Sequence, residues 1–398
     1  MKKNKESINA FWKKNKKIKK LFDIFGSKNI KFVGGAVRSA LRNETTNDLD
    51  LAVNIKFIDV KKQLEKSNIK FTDNSKGHGT ISIFSRIDKI EITSLRRDVK
   101  TDGRKAKIEH TKSFEEDSLR RDFTINSIYA DYDGEVYDPN DGYKDLKSNV
   151  VRFIGSPEKR INEDYLRLLR YFRMIGLYSS NELEIDKESL RACIHKFEKI
   201  KNLSKERVQS EFYKLILTKN SSFSLYLLKK HNLLDYIVKG LQKLPANDIK
   251  YFNKLPEDLI VRLTYLIIRT NVNLIEIRKS LNISNRHIAI IKTILSNKRG
   301  FTNILEAKIN KYLYGADISL TNYFVYCHIN NRKPNSLILD ILNNWETPKL
   351  PINGRDILKF KNLKGKKIGL RLKMIENWWI DNDFMPNRTE CLLKLKKD

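Results

Sequence analysis

Two glycines near the start of the chain stand where a turn could bind a phosphate. Gly34 and Gly35 follow the apolar residues Phe32 and Val33 and precede a short helical pattern that contains Arg38. In this order of strand, glycine and helix, backbone N–H groups can close on a phosphate, and the arginine supplies a cation for the same anion. The pattern predicts an anion-binding turn, with an ordinary tight turn as the alternative.

A pair of aspartates follows in the next strand-like stretch. Asp48 and Asp50 are separated by one residue, so both carboxylates leave the same face of a strand while Leu49 and Leu51 enter the core. Such carboxylates repel each other unless a cation lies between them, and Mg²⁺ is usually held by one or two carboxylates plus substrate phosphates. Two such ions can activate an attacking oxygen and neutralise a leaving pyrophosphate. Together with the glycine turn, the pair predicts a nucleotidyl-transfer site, whereas the aspartates alone would also fit a solvated strand edge.

After Pro157 the sequence changes to a helical pattern. Asn162 is the predicted N-cap, and Glu163 and Asp164 would lie in the first turn, where the helix dipole favours anions. Arginines recur every three residues along one side of this helix: Arg167, Arg170 and Arg173. The pattern predicts a stripe of cations beside a carboxylate.

Asp164 and Arg167 could together recognise the edge of a base. Asp164 would accept a hydrogen bond from an exocyclic amine, and Arg167 would donate one to the neighbouring ring acceptor. Cytosine and adenine present this combination, whereas uracil and guanine present a carbonyl beside an N–H. The pair would therefore admit C and A and refuse U and G. An ordinary intrahelical ion pair on a solvated face is the alternative.

The charge balance indicates a polyanionic partner. Among 398 residues there are 78 lysines and arginines against 48 aspartates and glutamates, which gives a formal net charge of +30. Nucleic acid is the most common partner of such an excess, although a general bias toward lysine, asparagine and isoleucine contributes to it. The chain length predicts two or three domains.

Cysteine spacing and hydropathy argue against several other classes of protein. Cys193, Cys327 and Cys391 lie far apart, so neither a zinc site nor a disulfide framework is expected. The basic N-terminal stretch has no apolar signal segment, and no run of about 18 apolar residues occurs. These features predict a cytoplasmic protein without a membrane span.

Strand-like patterns dominate from about residue 31 to 154. They predict an antiparallel or mixed sheet that carries the site at one edge. Asp133 and Gly134 predict a hairpin turn between two of the strands. Glu91 lies in a strand-like run near the aspartate pair, where it is either a third carboxylate of the site or a solvent-facing residue.

Two polar segments between the strands could reach the same site. Segment 95–104 predicts a mobile loop near the active face or a solvated connection. Arg121 and Asp122 could bind sugar and phosphate or pair with each other. From about residue 199 onward, only amphipathic helices with scattered lysines and arginines are predicted.

Taken together, these stretches resemble the motifs of the class II tRNA nucleotidyltransferase and poly(A) polymerase family. The stretches that carry the resemblance follow in the family's order: 34–38 with 48–50, 120–126, 138–146, 163–170 and 202–207. They cover about residues 30 to 210. Ser39 departs from the pattern, because the family usually has an acidic residue after the arginine.

The resemblance implies an α+β fold with a defined domain order. A polymerase-β-like nucleotidyltransferase head with a small mixed sheet would precede an all-α neck, body and tail. The domains expected are a basic N-terminal helix (1–26), the head (27–155), a neck with the base-selecting residues (156–222), and a body and tail that bind tRNA (223–398).

The resemblance also implies template-independent addition of CCA to the tRNA 3′ end from CTP and ATP, with Mg²⁺ as cofactor. Asp48 and Asp50 would be the catalytic metal ligands. The residues expected to contact the nucleotide are Gly34, Gly35, Arg38, Arg121, Asp164, Arg167, Arg170 and Arg173. Segment 96–104 resembles a flexible loop that CC-adding enzymes tend to lack, which favours full CCA addition. The alternatives are a poly(A) polymerase, an enzyme adding only CC or A, and an RNA-binding protein with a relic active site.

Overall fold

A mixed β-sheet in the N-terminal part of the chain is followed by helices. The computed structural model describes residues 3–4, 8–73, 79–84, 89–102, 105–297, 299–360 and 365–397. The strands are β1 (Lys3–Asn4), β2 (Ile30–Val33), β3 (Asp48–Val53), β4 (Thr72–Asp73), β5 (Thr80–Phe84), β6 (Lys89–Ser94), β7 (Arg96–Asp102), β8 (Lys105–His110), β9 (Tyr129–Ala130) and β10 (Val136–Tyr137). The succession of sheet and helices confirms the predicted α+β fold.

The main sheet has the strand order β1-β10-β9-β2-β3-β6-β5-β4. Strands β3 and β6 run parallel, and the other neighbouring pairs run antiparallel, so the sheet is mixed as predicted. Strands β9 and β10 pair on either side of Asp133 and Gly134, which confirms the predicted hairpin. Gly134 has a φ of +89°, the left-handed conformation that favours glycine in such turns.

The segment predicted as a mobile loop is a β-hairpin. Strands β7 and β8 form a separate two-stranded sheet, in which Arg96 pairs with His110 and Asp102 pairs with Lys105. Residues 103 and 104 lie outside the described residues. The prediction of a loop was therefore wrong for residues 96–102, because it relied on polar side chains, whereas the backbone N–H and C=O groups of a polar segment are paired equally well by strand neighbours. The mobility of the segment and its position near the active face stay predictions.

Helices lie before and between the strands of the sheet region, and they dominate the chain after it. In the first part they are α1 (Lys16–Phe25), α2 (Gly35–Leu41), α3 (Phe57–Lys66), α4 (Phe114–Leu119), α5 (Gly142–Lys147), α6 (Pro157–Glu163), α7 (Leu166–Tyr178), α8 (Lys187–Lys196), α9 (Lys205–Ile216), α10 (Ser221–Lys230), α11 (Leu234–Ile237) and α12 (Ala246–Tyr251). They continue with α13 (Leu259–Thr270), α14 (Leu274–Ser280), α15 (Asn285–Ser296), α16 (Ile304–Tyr314), α17 (Ala316–Ile329), α18 (Ser336–Asn344), α19 (Gly354–Phe360), α20 (Lys366–Asp381) and α21 (Arg388–Lys397).

The N-terminal helix packs on the sheet through its apolar face. Asn15 caps α1, whose buried residues recur at helical spacing: Ile18, Leu21, Phe22 and Phe25. The ring of Trp12 stacks on Phe32 of β2 at a centroid distance of 4.0 Å, and its Nε1 donates a hydrogen bond to the Tyr132 carbonyl at 3.0 Å. This basic segment therefore contributes to the core beneath the glycine turn.

The chain divides into two compact units. One comprises Met1–Asn253 and Ile275–Asn282, and the other Lys254–Leu274 and Ile283–Asp398. The expected domain boundaries near residues 26, 155 and 222 stay predictions. The core of the second unit includes the buried residues Ile375, Trp379 and Cys391. Among the described residues, no helix has both the length and the apolar character needed to cross a membrane.

Candidate active site

The predicted phosphate turn lies between β2 and α2. Gly34 caps α2 with a φ of +68°, a conformation that residues with a side chain rarely adopt. One turn further on, Arg38 donates from Nε to the Tyr178 hydroxyl at 2.6 Å and from Nη1 to Asn126 Oδ1. Because Tyr178 is the last residue of α7, its hydroxyl ties the end of that helix to the glycine turn.

The aspartate pair lies on one face of β3, as predicted. Leu49 and Leu51 are buried, whereas Asp48 is exposed and Asp50 is half-buried. This alternation follows from the two-residue period of a strand, which sends the leucines into the core and the carboxylates to the opposite face.

In the part of the chain that the structure describes, the carboxylate of Asp50 has no cationic partner in direct contact. Among the described residues, no hydrogen bond or ion pair involves it. Glu91 lies in register with Asp50 on the parallel strand β6 and forms an ion pair with Lys89 at 2.8 Å. Burial, followed by the charge of Glu91, raises the pKa of Asp50, although Arg121 and Arg38 act in the opposite direction. A cation bound to Asp50 would relieve both unfavourable effects.

The two carboxylates on β3 suit a divalent metal whose remaining ligands come from a bound substrate. In the described part of the chain, no group of three or more His, Cys, Asp or Glu residues could hold a metal ion. Asp48 and Asp50 supply carboxylate oxygens, which hard divalent cations prefer, and phosphate oxygens complete such sites in phosphoryl-transfer enzymes. The two aspartates therefore fit a divalent metal that binds together with a nucleotide.

A cleft of about 530 Å³ opens beside Asp50 and the glycine turn. It is lined by Gly34, Gly35, Arg38, Asp50, Arg120, Arg121, Asp122, Asn126, Asp164, Leu166, Arg167, Arg170, Arg173, Met174 and Arg207. We name it the arginine cleft, because seven arginines line it against three aspartates. It brings together all the residues predicted to contact a nucleotide and one of the two predicted metal ligands; Asp48 is outside the lining. Its size and positive charge suit a small polyanion.

The helix predicted to begin at Asn162 consists of two helices. Asn162 and Glu163 belong to α6, whose N-cap is Ser156, and Asp164 follows in extended conformation with a φ of −157°. Asp164 Oδ1 then accepts a hydrogen bond from the Leu166 N–H at 3.0 Å, at the start of α7. The predicted N-cap was therefore wrong, because neither glycine nor proline marks this break in the sequence.

Asp164 and Arg167 line the same cleft but do not form the intrahelical ion pair considered as the alternative. Arg207 on α9 donates from Nη2 to both carboxylate oxygens of Asp164, at 3.0 and 2.8 Å. Arg167 donates to Glu163 at 2.6 Å and to the Arg120 carbonyl at 3.1 Å. Each side chain is thus held by a different partner.

Buried carboxylates hold the other arginines of the stripe. Arg170 donates to Asp122 Oδ2 from Nε at 2.7 Å and from Nη2 at 2.6 Å, and Arg173 donates to Glu211 on α9 at 2.7 Å. Burial by itself would raise the pKa of Asp122, but the Arg170 guanidinium outweighs it and the pKa is lowered. Asp122 therefore pairs with Arg170, and its pairing with Arg121, considered from the sequence, was wrong.

Several residues of the arginine cleft were not singled out from the sequence. Arg120, Asn126 and Arg207 line it, and Asp117 lies behind it against Arg120 and Arg121. Asp117 precedes those two arginines by three and four residues, a spacing at which charges pair on a helix and which could have indicated the contact. No local signal links Arg207 to Asp164, since they are 43 residues apart.

Two family models match parts of the chain. Residues 30–152 match the family described as "Poly A polymerase head domain". Residues 182–244 match the family described as "Probable RNA and SrmB- binding site of polymerase A". The first match covers the sheet and the glycine turn, and the second covers helices that follow α7.

Relatives and solved structures extend the similarity to almost the whole chain. The human protein named CCA tRNA nucleotidyltransferase 1, mitochondrial, is 28% identical over 96% of this chain and 90% of its own length. The crystal structure of Bacillus stearothermophilus CCA-adding enzyme in complex with CTP has a TM-score of 0.79 at 21% identity, and covers 96% of this chain and 98% of that chain. The Thermotoga maritima CCA-adding enzyme complexed with tRNA has a TM-score of 0.65 at 18% identity, with 98% of each chain covered. Residues 30–152 and 182–244 thus match two domains of poly(A) polymerases, and over almost its whole length the chain is similar to the class II CCA-adding enzyme and poly(A) polymerase family, in agreement with its motifs and fold.

Proposed function

We propose that this protein adds CCA to the 3′ end of tRNA from CTP and ATP, without a nucleic-acid template and with release of pyrophosphate. The observation that carries this proposal is the arginine cleft, in which a glycine turn, a half-buried aspartate of β3 and the arginines of α7 meet. The human relative named for tRNA nucleotidyl transfer aligns with almost the whole chain, which supports the same activity.

The phosphate end of the nucleotide is assigned to the glycine turn and two arginines. Gly34 and Gly35 allow the backbone to approach a phosphate, and Arg38 and Arg121 line the arginine cleft with them. Their positive charges would stabilise the triphosphate and the charge that develops on the leaving pyrophosphate. The reaction joins the tRNA 3′ oxygen to the α-phosphorus and breaks the bond between that phosphorus and the oxygen bridging to the β-phosphate.

The base end is assigned to Asp164 and Arg167. A carboxylate has about four acceptor sites, so the bonds from Arg207 leave Asp164 able to accept from the exocyclic amine of cytosine or adenine. Arg167, held by Glu163, would donate to the neighbouring ring nitrogen. Uracil and guanine present the opposite groups and would form no hydrogen bond with either side chain.

The divalent metal is assigned as Mg²⁺, held by Asp48 and Asp50. Carboxylate oxygens and substrate phosphates are the ligands that Mg²⁺ prefers, and the unfavourable charge of Asp50 fits a cation. Bound there, the metal would lower the pKa of the attacking hydroxyl and neutralise charge on the phosphates. Glu91 is held by Lys89 and is assigned no direct ligand role.

Asp50→Asn is expected to raise the melting temperature of the metal-free protein by a few degrees. The substitution removes a charge that burial and Glu91 both disfavour, while the shape of the side chain is kept. In the presence of CTP, added MgCl₂ should raise the melting temperature of the natural protein more than that of the variant. Thermal unfolding with and without MgCl₂ measures both effects, with Asp133→Asn as control because the Asp133 side chain is 80% exposed. Equal Mg²⁺ shifts in the natural protein and Asp50→Asn would contradict the metal assignment.

tRNA is assigned as the partner, and the cytoplasm as the location. The formal net charge of +30 provides an attractive field for an RNA backbone. The cytoplasmic location stays a prediction, since the human relative is named mitochondrial.

The decisive experiment incubates the purified protein with tRNA lacking its 3′ CCA, supplying labelled CTP, ATP, UTP and GTP separately and together. Addition of C alone from CTP, and of CCA from the CTP and ATP mixture, is the expected result. A long A tail would indicate a poly(A) polymerase, and addition that stops at CC or A would indicate a partial enzyme. No incorporation of any nucleotide would support the RNA-binding relic.

A further inference from the structure

A buried aspartate behind the arginine cleft holds two of its arginines. Asp117 lies on α4, and its side chain is 1% exposed. Its Oδ1 accepts from Arg120 Nε at 2.9 Å, and its Oδ2 accepts from Arg121 Nε at 3.2 Å and Nη2 at 3.0 Å. Both arginines line the arginine cleft, whereas Asp117 does not. The carboxylate therefore lies where it can act on a ligand only through the two guanidinium groups.

Tyr129 completes the support of Arg121. Its hydroxyl donates to Asp117 Oδ2 at 2.8 Å and accepts from Arg121 Nε at 3.2 Å, and the guanidinium carbon lies 5.3 Å from the centre of its ring. Burial raises the pKa of the Tyr129 hydroxyl, so it remains a neutral donor. Arg121 Nη1 also points toward the Asn126 carbonyl, at 3.5 Å. These contacts use part of the five N–H donors of a guanidinium and leave the others for an anion.

The charges of this cluster do not cancel. Burial would raise the pKa of Asp117, but Arg121, Arg120 and the Tyr129 hydroxyl lower it to about 2, so the carboxylate is ionised at working pH. One negative charge then faces two guanidinium groups, and the surplus is positive and directed at the cleft. Without the carboxylate, two neighbouring, partly buried guanidinium groups would repel each other and lose their fixed direction.

We propose that Asp117, supported by Tyr129, is a positioning residue that orients Arg120 and Arg121 toward the phosphates of the bound nucleotide. The inference rests on the proposed function, since it assigns the ligand of these arginines as the triphosphate of CTP or ATP. A purely structural ion pair between α4 and the following segment is the competing explanation. Asp117 Oδ1 also accepts from the Arg96 N–H at 3.3 Å, so such a role requires a direct test.

The test measures steady-state incorporation by Asp117→Asn and Tyr129→Phe. In Asp117→Asn the KM for CTP and ATP is expected to rise about tenfold, because charge-assisted hydrogen bonds hold the arginines, while the KM for tRNA stays within about twofold of the natural value. Tyr129→Phe, which loses only a hydroxyl from a buried ring, should raise the same KM by about threefold. If Asp117→Asn does not fold, the nucleotide KM of Tyr129→Phe tests the proposal by itself.

A double-mutant cycle separates positioning from general stabilisation. If Asp117 acts through the arginines, Asp117→Asn combined with Arg121→Gln should have a nucleotide KM within about twofold of Arg121→Gln alone. Asp186→Asn is the control, because Asp186, like Asp117, pairs with an arginine and accepts a hydrogen bond from a backbone N–H, but it is outside the arginine cleft. Full additivity, or nucleotide KM values in both single variants within twofold of the control, would overturn the proposal.

Failure of the proposed function would look different. In that case the natural protein itself would incorporate neither CTP nor ATP. Equilibrium binding of ATP with Mg²⁺ then tests the inference independently of turnover: an approximately tenfold weaker Kd in Asp117→Asn supports it, and an unchanged Kd overturns it.

Discussion

Asp48→Ala is expected to reduce incorporation of CTP and ATP at least about a thousandfold, while tRNA binding is retained. Asp48 shares a strand face with Asp50, and loss of one of two carboxylate ligands removes several kcal/mol of charge stabilisation from the transition state. Binding of tRNA depends on positive charge, which the substitution does not remove. Single-turnover incorporation with saturating nucleotide, together with a filter-binding measurement on the same tRNA, gives the two quantities.

A matched substitution in the same sheet region controls for the loss of an aspartate side chain as such. Asp133→Ala alters a side chain that is 80% exposed and pairs with Lys13, so its incorporation rate should stay close to that of the natural protein. If Asp48→Ala retains a rate within tenfold of this control, the assignment of Asp48 as a metal ligand is wrong.

Substitution of Asp164 is expected to change which bases are accepted. In Asp164→Ala, discrimination between CTP and UTP should fall by about 10- to 100-fold, the value of one good hydrogen-bonded contact to a base edge. Asp164→Asn should lower the discrimination between CTP and UTP further, because its amide supplies a donor that can pair with the uracil carbonyl. The ratio of kcat/KM for CTP to that for UTP, measured for each variant, is the readout.

The two variants also separate base selection from helix capping. Asp164 caps α7 through the Leu166 N–H, and asparagine is as good a cap as aspartate. Both variants lose the ion pair with Arg207, so Asp164→Ala should lose about 1 kcal/mol more stability than Asp164→Asn. A change in base choice that accompanies Asp164→Ala but not Asp164→Asn would be due to the lost cap. Unchanged base choice in both variants would exclude Asp164 from selection.

Local patterns were sufficient wherever the physical cause is local. The alternation of Asp48, Leu49 and Asp50 on β3 follows from strand geometry alone, and the left-handed turn at Gly34 follows from the glycine. Two local patterns are exceptions. Asn162 lies within α6 and does not cap a helix, and residues 96–102 of the predicted loop pair as β7 with β8 through backbone groups that polar composition does not reveal.

Contacts between distant segments could not be predicted in the same way. Spacing on a helix makes Asp164 and Arg167 look like partners, but Arg207, contributed by α9, binds Asp164 in place of Arg167. Similarly, Asp122 and Arg170 are 48 residues apart and meet only because the motif after α4 packs against α7. Ion pairs of this kind depend on which elements become neighbours in the fold.

The sequence by itself determined the strand, the turn and the residue types of the site, because strand period, glycine conformation and carboxylate chemistry act over a few residues. The order of its motifs also indicated the family to which the comparisons show similarity. Only the tertiary structure decided which carboxylate holds which arginine, where α6 ends, and that Asp117 and Tyr129 stand behind Arg121. Those outcomes depend on burial and on charges brought together from segments far apart in the chain, and no short stretch of sequence contains that information.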